Sequence, residues 1–430
     1  MKNKKTKILL GIIAVILLIT LVYTSNIISM PNSIVLFENE NLKLNTIFGI
    51  NIEKINNANL NNYRTIQTST GSSKTNTQTT NLAVNLFGLK IKEISVNVIE
   101  NTEVVPLGNI VGLKLYTSGV LVVGMSEISG KDSNKYRPYE TSEIKEGDMI
   151  VEIDKKTVTS TNELIKCVNS SNGKEIEITF VRDGKILETS ITPVKTKNNN
   201  YKLGLWVRDT AAGVGTVTFY DPETGSFASL GHGIVDSDTE KLVDISTGEF
   251  TTTEIVSITK GENGNPGRIQ GTIDGQTKIG TIYKNTPFGV YGKLTNISAL
   301  NIDKNKKVEV ALRDEIKTGK ASIICTLENN VRKEYEVEVQ KIYLNNNIDN
   351  KSMLIKVTDK ELLEKTGGII QGMSGSPILQ NGKLIGALTH VLVSDPTKGY
   401  GVFAELMVKQ MKDVKWIIAK KRLKIRPIHA

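Results

Sequence analysis

A serine nucleophile for acyl transfer is predicted at Ser374, within the segment GMSGSP (372–377). Such a serine needs a tight turn that holds its Oγ outward while nearby backbone amides point at the developing oxyanion. Gly372 and Gly375 favour this turn, because glycine adopts backbone conformations that larger residues resist. We expect the amides of Gly372 and Ser374 to form the oxyanion hole. Ser376 is the alternative hydroxyl, but it lacks this preceding pair of amides.

A β-hairpin is predicted after the turn, because two apolar runs (378–380 and 383–388) flank the two-residue turn signal Asn381-Gly382. This arrangement resembles the nucleophile region of chymotrypsin-like peptidases, in which GDSGGP precedes a hairpin. The resemblance implies a double β-barrel and a substrate-binding strand that would contain Thr389 and His390. Met373 stands where trypsin-like enzymes place an aspartate, so activation through a salt bridge to a new N-terminus is not expected.

The general base is predicted to be His232, one of three histidines in the chain. It lies in FASLGHGI (227–234), between glycines at the end of a predicted strand. The long separation from Ser374 leaves room for two barrels with a site between them. His390 is the alternative, although a substrate-site role fits it better, and His429 is the penultimate residue.

The acid that orients the base is left open by spacing. Its task is to accept the other imidazole N–H and stabilise the imidazolium. Candidates between base and nucleophile include Asp236, Asp238, Asp244, Asp274, Asp303, Asp314 and Asp359.

A PDZ domain is predicted over residues 106–195, ahead of a peptidase domain over 196–430. The order of strands and helix, and the segment SEIKEGDMIVEIDKKTV (142–158), resemble the bacterial form of that domain. A PDZ domain binds an extended peptide as an added strand beside a glycine-rich loop. We expect the ligand site in the loop and strand that contain Gly108, Gly112, Leu113, Lys114 and Leu115. The alternative is a spacer that binds nothing.

The whole pattern resembles the stage IV sporulation protein B peptidases, through GHGIVDSDT (231–239), QGMSGSPILQNGKLIGALTHV (371–391) and the PDZ domain before the peptidase. Stress proteases with PDZ domains place the peptidase first. The resemblance implies a triad of His232, Asp359 and Ser374, although a Ser-His dyad stays open. It also implies secretion from the forespore into the space between forespore and mother-cell membranes, and self-cleavage. A further implied substrate is a regulator of a membrane-embedded processing protease, whose cleavage triggers late sigma-factor activation. The competing interpretations are an envelope quality-control protease and a non-catalytic scaffold.

Composition favours a mainly β protein and excludes several other classes. Aromatic residues are only 5% of the 430 residues, and Ile and Val recur in short runs broken by Gly, Asn and Asp. The net charge is +9, but the sequence contains no basic stripe with interleaved aromatic residues, so nucleic-acid binding is not expected. Cys167 and Cys325 form no metal or disulfide pattern, and no metal or cofactor is expected.

The N-terminus predicts a membrane anchor over residues 1–24. A lysine cluster precedes an apolar, charge-free run from Ile8 to Val22, so the basic flank should stay cytoplasmic and the rest outside. The residues that follow offer no convincing cleavage site, which favours an uncleaved signal anchor over a cleaved signal peptide. Residues 25–105 are predicted to be membrane-proximal, with a Thr/Ser/Asn-rich linker at 65–81.

Overall fold

The computed structural model describes residues 2–37, 41–43, 46–54, 65–67, 78–99, 102–328, 331–344 and 350–411. They form a mainly β protein with an apolar N-terminal helix, a PDZ domain and two β-barrels, which confirms the predicted fold class. Residues 68–77 of the predicted linker, and His429, lie outside the described residues.

A long apolar helix, α1 (Lys2–Ser29), leads into a small sheet. The strands of this part are β1 (Ser33–Phe37), β2 (Asn41–Lys43), β3 (Ile50–Lys54), β4 (Thr65–Gln67), β5 (Gln78–Leu86) and β6 (Leu89–Ile99). The sheet has the order β1-β6-β5-β3, and alternate residues such as Leu82 and Ile94 pack into one core with Met30. Within α1, Leu9–Ser29 is long and apolar enough to cross a membrane, a test that a signal sequence also passes.

The PDZ domain begins within a 23-residue strand, β7 (Glu103–Met125). Its further elements are β8 (Ile128–Ser129), β9 (Lys135–Tyr136), a 3-10 turn (Pro138–Thr141), β10 (Met149–Ile153), β11 (Lys156–Thr157), α2 (Thr161–Ser170), β12 (Ile176–Arg182), β13 (Lys185–Ile191), β14 (Val194–Lys195) and β15 (Tyr201–Lys202). Ser160 is the N-cap of α2, and its hydroxyl accepts a hydrogen bond from Glu163 N. Leu164 and Val168 lie one turn apart on the helix and pack into the domain core.

The first barrel contains β7 and five later strands. They are β16 (Leu205–Tyr220), β17 (Ser226–Ser229), β18 (Ile245–Thr259), β19 (Arg268–Thr286) and β20 (Gly289–Leu294). They pair in the order β7-β16-β17-β20-β19-β18, and β18 pairs again with β7, which closes the ring. A 3-10 turn (Ser298–Leu300) and a short strand, β21 (Val308–Glu309), which also pairs with β7, lead to the second barrel.

The second barrel is closed in the order β22-β23-β24-β27-β26-β25. Its elements are β22 (Gly319–Glu328), β23 (Val331–Ile342), β24 (Met353–Val357), α3 (Lys360–Thr366), β25 (Pro377–Gln380), β26 (Lys383–Val391) and β27 (Lys398–Phe403). Strands β25 and β26 form the hairpin expected after the serine. Asn381 and Gly382 both have positive φ, as a two-residue hairpin turn of this kind requires.

The PDZ domain is inserted between two paired strands of the first barrel. Strand β7 pairs with β16 from Val105–Tyr220 to Met125–Leu205. The first half of β7 therefore lies in the barrel, whereas Val120 and Val122 in its second half join the PDZ core. The domain boundary expected at residue 106 falls inside this barrel strand. The sequence did not reveal this, because a continuous strand that contributes to two cores shows no break in its apolar pattern.

Candidate active site

His232 lies in the loop directly after β17. The two residues before it, Leu230 (φ 69°) and Gly231 (φ 71°), both adopt the left-handed conformation. A Cβ atom at position 231 would lie 2.9 Å from Thr389 Cγ2, so glycine is needed for the close approach of this loop to β26. The glycine-flanked placement seen in the sequence thus brings the histidine loop against the predicted substrate strand.

Ser374 lies in the loop before β25, in a turn that only glycine permits at two positions. Gly372 has φ 101° and Gly375 has φ 99°, and a Cβ atom at position 375 would lie 2.1 Å from Thr216 O. The side chain of Met373 is fully buried in the core of the second barrel. This buried neighbour anchors the turn, whereas Ser374 itself stays partly exposed.

Thr216 on β16 joins the two loops, and sequence analysis did not single it out. Its amide donates to Ser374 O (3.1 Å), and its hydroxyl donates to Gly372 O (2.7 Å). Its carbonyl accepts from Leu230 N (3.2 Å) and from the hydroxyl of Ser229 (2.7 Å). One residue that is 2% exposed therefore positions both the serine turn and the histidine loop.

The imidazole of His232 is held by a backbone carbonyl. Its Nδ1 lies 2.9 Å from Gly233 O, and because a carbonyl only accepts, Nδ1 carries the proton. This leaves the Nε2 lone pair available as a base. Burial lowers the pKa of His232, and the bond to the Gly233 carbonyl opposes that shift more weakly. The ring is therefore neutral, as a general base must be, at neutral pH.

The Ser374 hydroxyl donates to Thr389 O at 2.6 Å. Within the described part of the chain, no hydrogen bond joins it to His232. Catalytic hydrogen bonds are often formed fully only with substrate bound. The amides of Gly372 and Ser374 have no hydrogen-bond partner among the described residues, which leaves both free to bind an oxyanion.

The predicted substrate strand borders a cavity of about 1030 Å³ whose lining includes His232, His390, Lys351 and Tyr400. The His232 and His390 rings are 4.9 Å apart. Desolvation lowers the pKa of His390 to about 4, and electrostatic repulsion from Lys351 and from the protonated form of His232 acts in the same direction. Thr389 is buried beside it and donates its hydroxyl to carbonyls of neighbouring segments. The cavity therefore contains His232 and His390 in its lining, and Ser374 is joined to the same strand by its hydrogen bond to Thr389 O.

Asp359 lies at a different place. It is the N-cap of α3, where its carboxylate accepts from Leu362 N (2.9 Å) and from Glu336 N (3.4 Å). The Nδ1 atom of His232 contacts the Gly233 carbonyl instead. In this conformation a backbone carbonyl contacts Nδ1 of the imidazole, and Asp359 stabilises the start of a helix.

Two other candidate acids, Asp236 and Asp238, form ion pairs with Arg208 on β16. Asp236 is buried in the turn after His232, where it also accepts from the amides of Asp238 and Thr239. These bonds fix the turn without reaching the imidazole. The side chain of Asp274 lies outside the described residues.

The expected PDZ ligand residues are placed in the first barrel, which corrects their predicted role. Residues 112–115 pair with β16 on one side and with β18 on the other, so no edge is left for an added strand. Gly108 packs against the second barrel, where a Cβ atom would lie 2.5 Å from Ile324 O. A strand can accept a peptide only along an unpaired edge.

The groove of the PDZ domain lies instead between α2 and the start of β16. A cavity of about 520 Å³ there is lined by Leu164 and Val168 of α2 and by Leu203, Gly204 and Leu205. Gly204 has φ 78°, and the amides of Leu203 and Gly204 have no partner among the described residues. A glycine loop with free amides, followed by a strand beside a helix, is the pattern that had been expected nearer residue 108.

The described residues contain no group of three or more His, Cys, Asp or Glu side chains that could hold a metal ion. Both cysteines are free. Burial raises the pKa of Cys325 to about 12, so this thiol is protonated and unreactive at neutral pH.

Two family models match the chain. Residues 199–408 match the SpoIVB peptidase S55 family, and residues 111–192 match the PDZ domain. The chain is a SpoIVB-type serine peptidase that carries a PDZ domain. The S55 match begins just before the groove loop at Leu203, so the peptidase region supplies one wall of the PDZ groove.

Two solved structures are similar to parts of this peptidase. The PDZ domain of the SdrC-like protein from Listeria monocytogenes is 25% identical, with a TM-score of 0.17, over 21% of this chain and 87% of that one. The HtrA-type protease AlgW with decapeptide is 12% identical, with a TM-score of 0.28, over 49% of this chain and 55% of that one.

Proposed function

We propose that this peptidase cleaves peptide bonds with Ser374 as nucleophile, His232 as general base, and the amides of Gly372 and Ser374 as oxyanion hole. The observation that carries the proposal is the junction at Thr216, which is hydrogen-bonded to both the serine turn and the histidine loop. The free amides beside the serine and the neutral imidazole supply what acyl transfer requires.

The reaction follows from these groups. His232 Nε2 takes the Ser374 proton while Oγ bonds to the substrate carbonyl carbon. The oxyanion accepts hydrogen bonds from the two free amides. The protonated His232 then gives its proton to the leaving amine as the peptide bond breaks, and a water activated by the same ring releases the acyl group. The Gly233 carbonyl keeps Nδ1 protonated throughout.

The direct test is labelling of the purified protein with a fluorophosphonate probe. Ser374→Ala should abolish labelling, and His232→Ala should reduce it severely, without loss of the folded state measured by circular dichroism. Ser376→Ala is the matched control and should retain labelling, because Ser376 is fully buried and its hydroxyl has no partner among the described residues. Retained labelling in Ser374→Ala would refute the assignment of the nucleophile. A folded wild-type protein that does not label would also refute the proposal and would favour a scaffold.

We propose two specific substrates, the chain itself and a regulator of a membrane-embedded processing protease. Cleavage of the regulator would trigger late sigma-factor activation in endospore formation. The match to the SpoIVB peptidase family supports this role. Incubation of the purified protein alone, followed by mass spectrometry of new N-termini, should reveal one or a few cuts. Progressive degradation of unfolded casein to many peptides would favour envelope quality control instead.

The proposed location is outside the cytoplasmic membrane, anchored by α1, in the space between forespore and mother-cell membranes. The hydropathy and length of Leu9–Ser29 support an anchor, and the preceding lysines support the orientation. Carbonate washing of membranes should leave the full-length chain in the pellet. Release into the supernatant would indicate a cleaved signal.

A further inference from the structure

An exposed apolar cluster lies beside the end of the apolar run in α1. Its members, called here the interfacial patch, are Phe48, Phe87 and Leu89, which are 86%, 67% and 74% exposed. Phe87 lies in the turn of the β5–β6 hairpin, Leu89 is the first residue of β6, and Phe48 lies in the turn before β3. Large apolar side chains clustered at this exposure are uncommon on a surface that meets only water.

The patch contacts the helix at Tyr23 of α1. The Tyr23 hydroxyl donates to Phe48 O (2.7 Å), and the Tyr23 ring lies 6.2 Å from the Phe87 ring. The Phe48 and Phe87 rings are also 6.2 Å apart. A Cβ atom at Gly49 would lie 2.5 Å from the Phe87 ring, so the two turns are fitted to each other.

A second attachment fixes the orientation of the small sheet on the helix. Lys92 on β6 donates its ammonium group to the carbonyls of Ile27 and Met30 at the end of α1. Tyr23 lies six residues before Ser29, or about 9 Å along the helix axis at 1.5 Å per residue. The patch is therefore level with Tyr23, closer to the apolar run than the C-terminal end of the helix is.

The height of Tyr23 matches a membrane surface. The apolar run from Ile8 to Val22 ends immediately before it, and tyrosine is enriched where the hydrocarbon meets the headgroups. The run is short for a bilayer core of about 30 Å, and short spans are accommodated when flanking groups anchor in the interface. Aromatic rings are favoured at that depth.

We propose that the interfacial patch inserts into the outer surface of the bilayer, so that the membrane-proximal sheet rests on the lipid beside its own anchor. This inference relies on the membrane anchoring proposed above. The partner is the lipid headgroup–acyl boundary, and the patch limits how far the sheet can tilt away from the membrane.

The test uses the full-length protein in phosphatidylcholine/phosphatidylglycerol vesicles, plain or brominated on the upper acyl chain. The two native tryptophans, Trp206 and Trp416, are replaced by Phe, and one reporter is introduced as Phe87→Trp. Leu89→Trp serves as a second reporter without the ring contacts of Phe87. Ile186→Trp is the matched control, because Ile186 is 72% exposed in a PDZ hairpin.

Bromine should quench the emission of both patch reporters and leave the control reporter unchanged, and flotation of the same samples should show all three variants on the vesicles. Protein that floats while both patch reporters stay unquenched would overturn the patch and leave the anchor intact. A blue-shifted but unquenched patch reporter would indicate a protein partner in place of lipid and would also overturn it. Protein that does not float would overturn the anchor and the patch together.

Discussion

Replacement of Thr216 by valine tests whether the strand-borne junction positions the nucleophile turn. The change keeps the shape of the side chain and the amide that donates to Ser374 O, but it removes the hydroxyl that donates to Gly372 O. Gly372 also supplies one of the two predicted oxyanion amides, so loss of the bond to its carbonyl loosens the residue that carries this amide.

The expected magnitude follows from the lost hydrogen bond. A buried carbonyl left without its partner costs about 1 to 3 kcal/mol, and Thr216 is 2% exposed. If this cost is expressed when the oxyanion forms, the rate of acylation should fall between about 5-fold and about 150-fold. Complete loss of an oxyanion donor costs about 100-fold to 1000-fold, so the predicted effect lies at or below that range.

Thr218→Val is the matched control. Thr218 lies two residues along the same strand and is fully buried, and its hydroxyl has no partner in the part of the chain that the structure describes. Its removal should leave labelling unchanged and stability equal or slightly higher. The assay is the second-order rate of fluorophosphonate labelling, measured well below the melting temperature of each variant so that partial unfolding does not contribute.

Equal labelling rates in Thr216→Val and Thr218→Val would refute the reasoning, because the hydroxyl of Thr216 would then have no part in positioning the turn. A lower melting temperature with an unchanged rate would assign Thr216 a purely structural role.

Three further predictions concern the base and its surroundings. Because burial lowers the pKa of His232, the imidazole stays neutral to lower pH, and the acid limb of kcat/KM should have its midpoint below the usual histidine value of about 6.5; a midpoint above it would reveal an acidic partner. Asp359→Asn should preserve stability, since Asn also caps helices, and should label at near wild-type rate; a loss of orders of magnitude would show that Asp359 reaches the base during catalysis. Arg208→Gln should destabilise the protein by about 1 to 3 kcal/mol, because it leaves the buried carboxylate of Asp236 without one of its hydrogen-bond donors, and should slow labelling. Asp238→Asn, which changes the more exposed partner of Arg208, should do neither.

The sequence revealed those parts of the site that local chemistry determines. The serine turn needs glycine at 372 and 375 because of backbone conformation and close approach, and such needs are visible as a motif. The hairpin at Asn381-Gly382 is equally local. His232 could be selected because few histidines exist and because Gly231 is required beside it.

The parts of the site that could not be predicted from the sequence depend on which distant strands pair. Thr216 is one threonine among many, and its role exists only because β16 runs between the serine turn and the histidine loop.

The PDZ groove was expected near Gly108 because a glycine-flanked loop before a strand occurs there. The same pattern recurs at Leu203-Gly204-Leu205, and only the pairing of both edges of residues 112–115 decides between the two sites. A strand with both edges paired cannot accept a peptide, whatever its sequence.

The insertion of the PDZ domain gives β16 two functions that separate domains could not share. The strand starts as one wall of the PDZ groove, beside α2. Asp209 on this strand accepts from Thr161 N at the start of α2, and its neighbour Arg208 holds the turn after His232. Farther along, Thr216 holds the serine turn. A change in the position of this strand therefore shifts both predicted catalytic loops together, because each is bonded to it directly and no flexible linker separates the groove from the site.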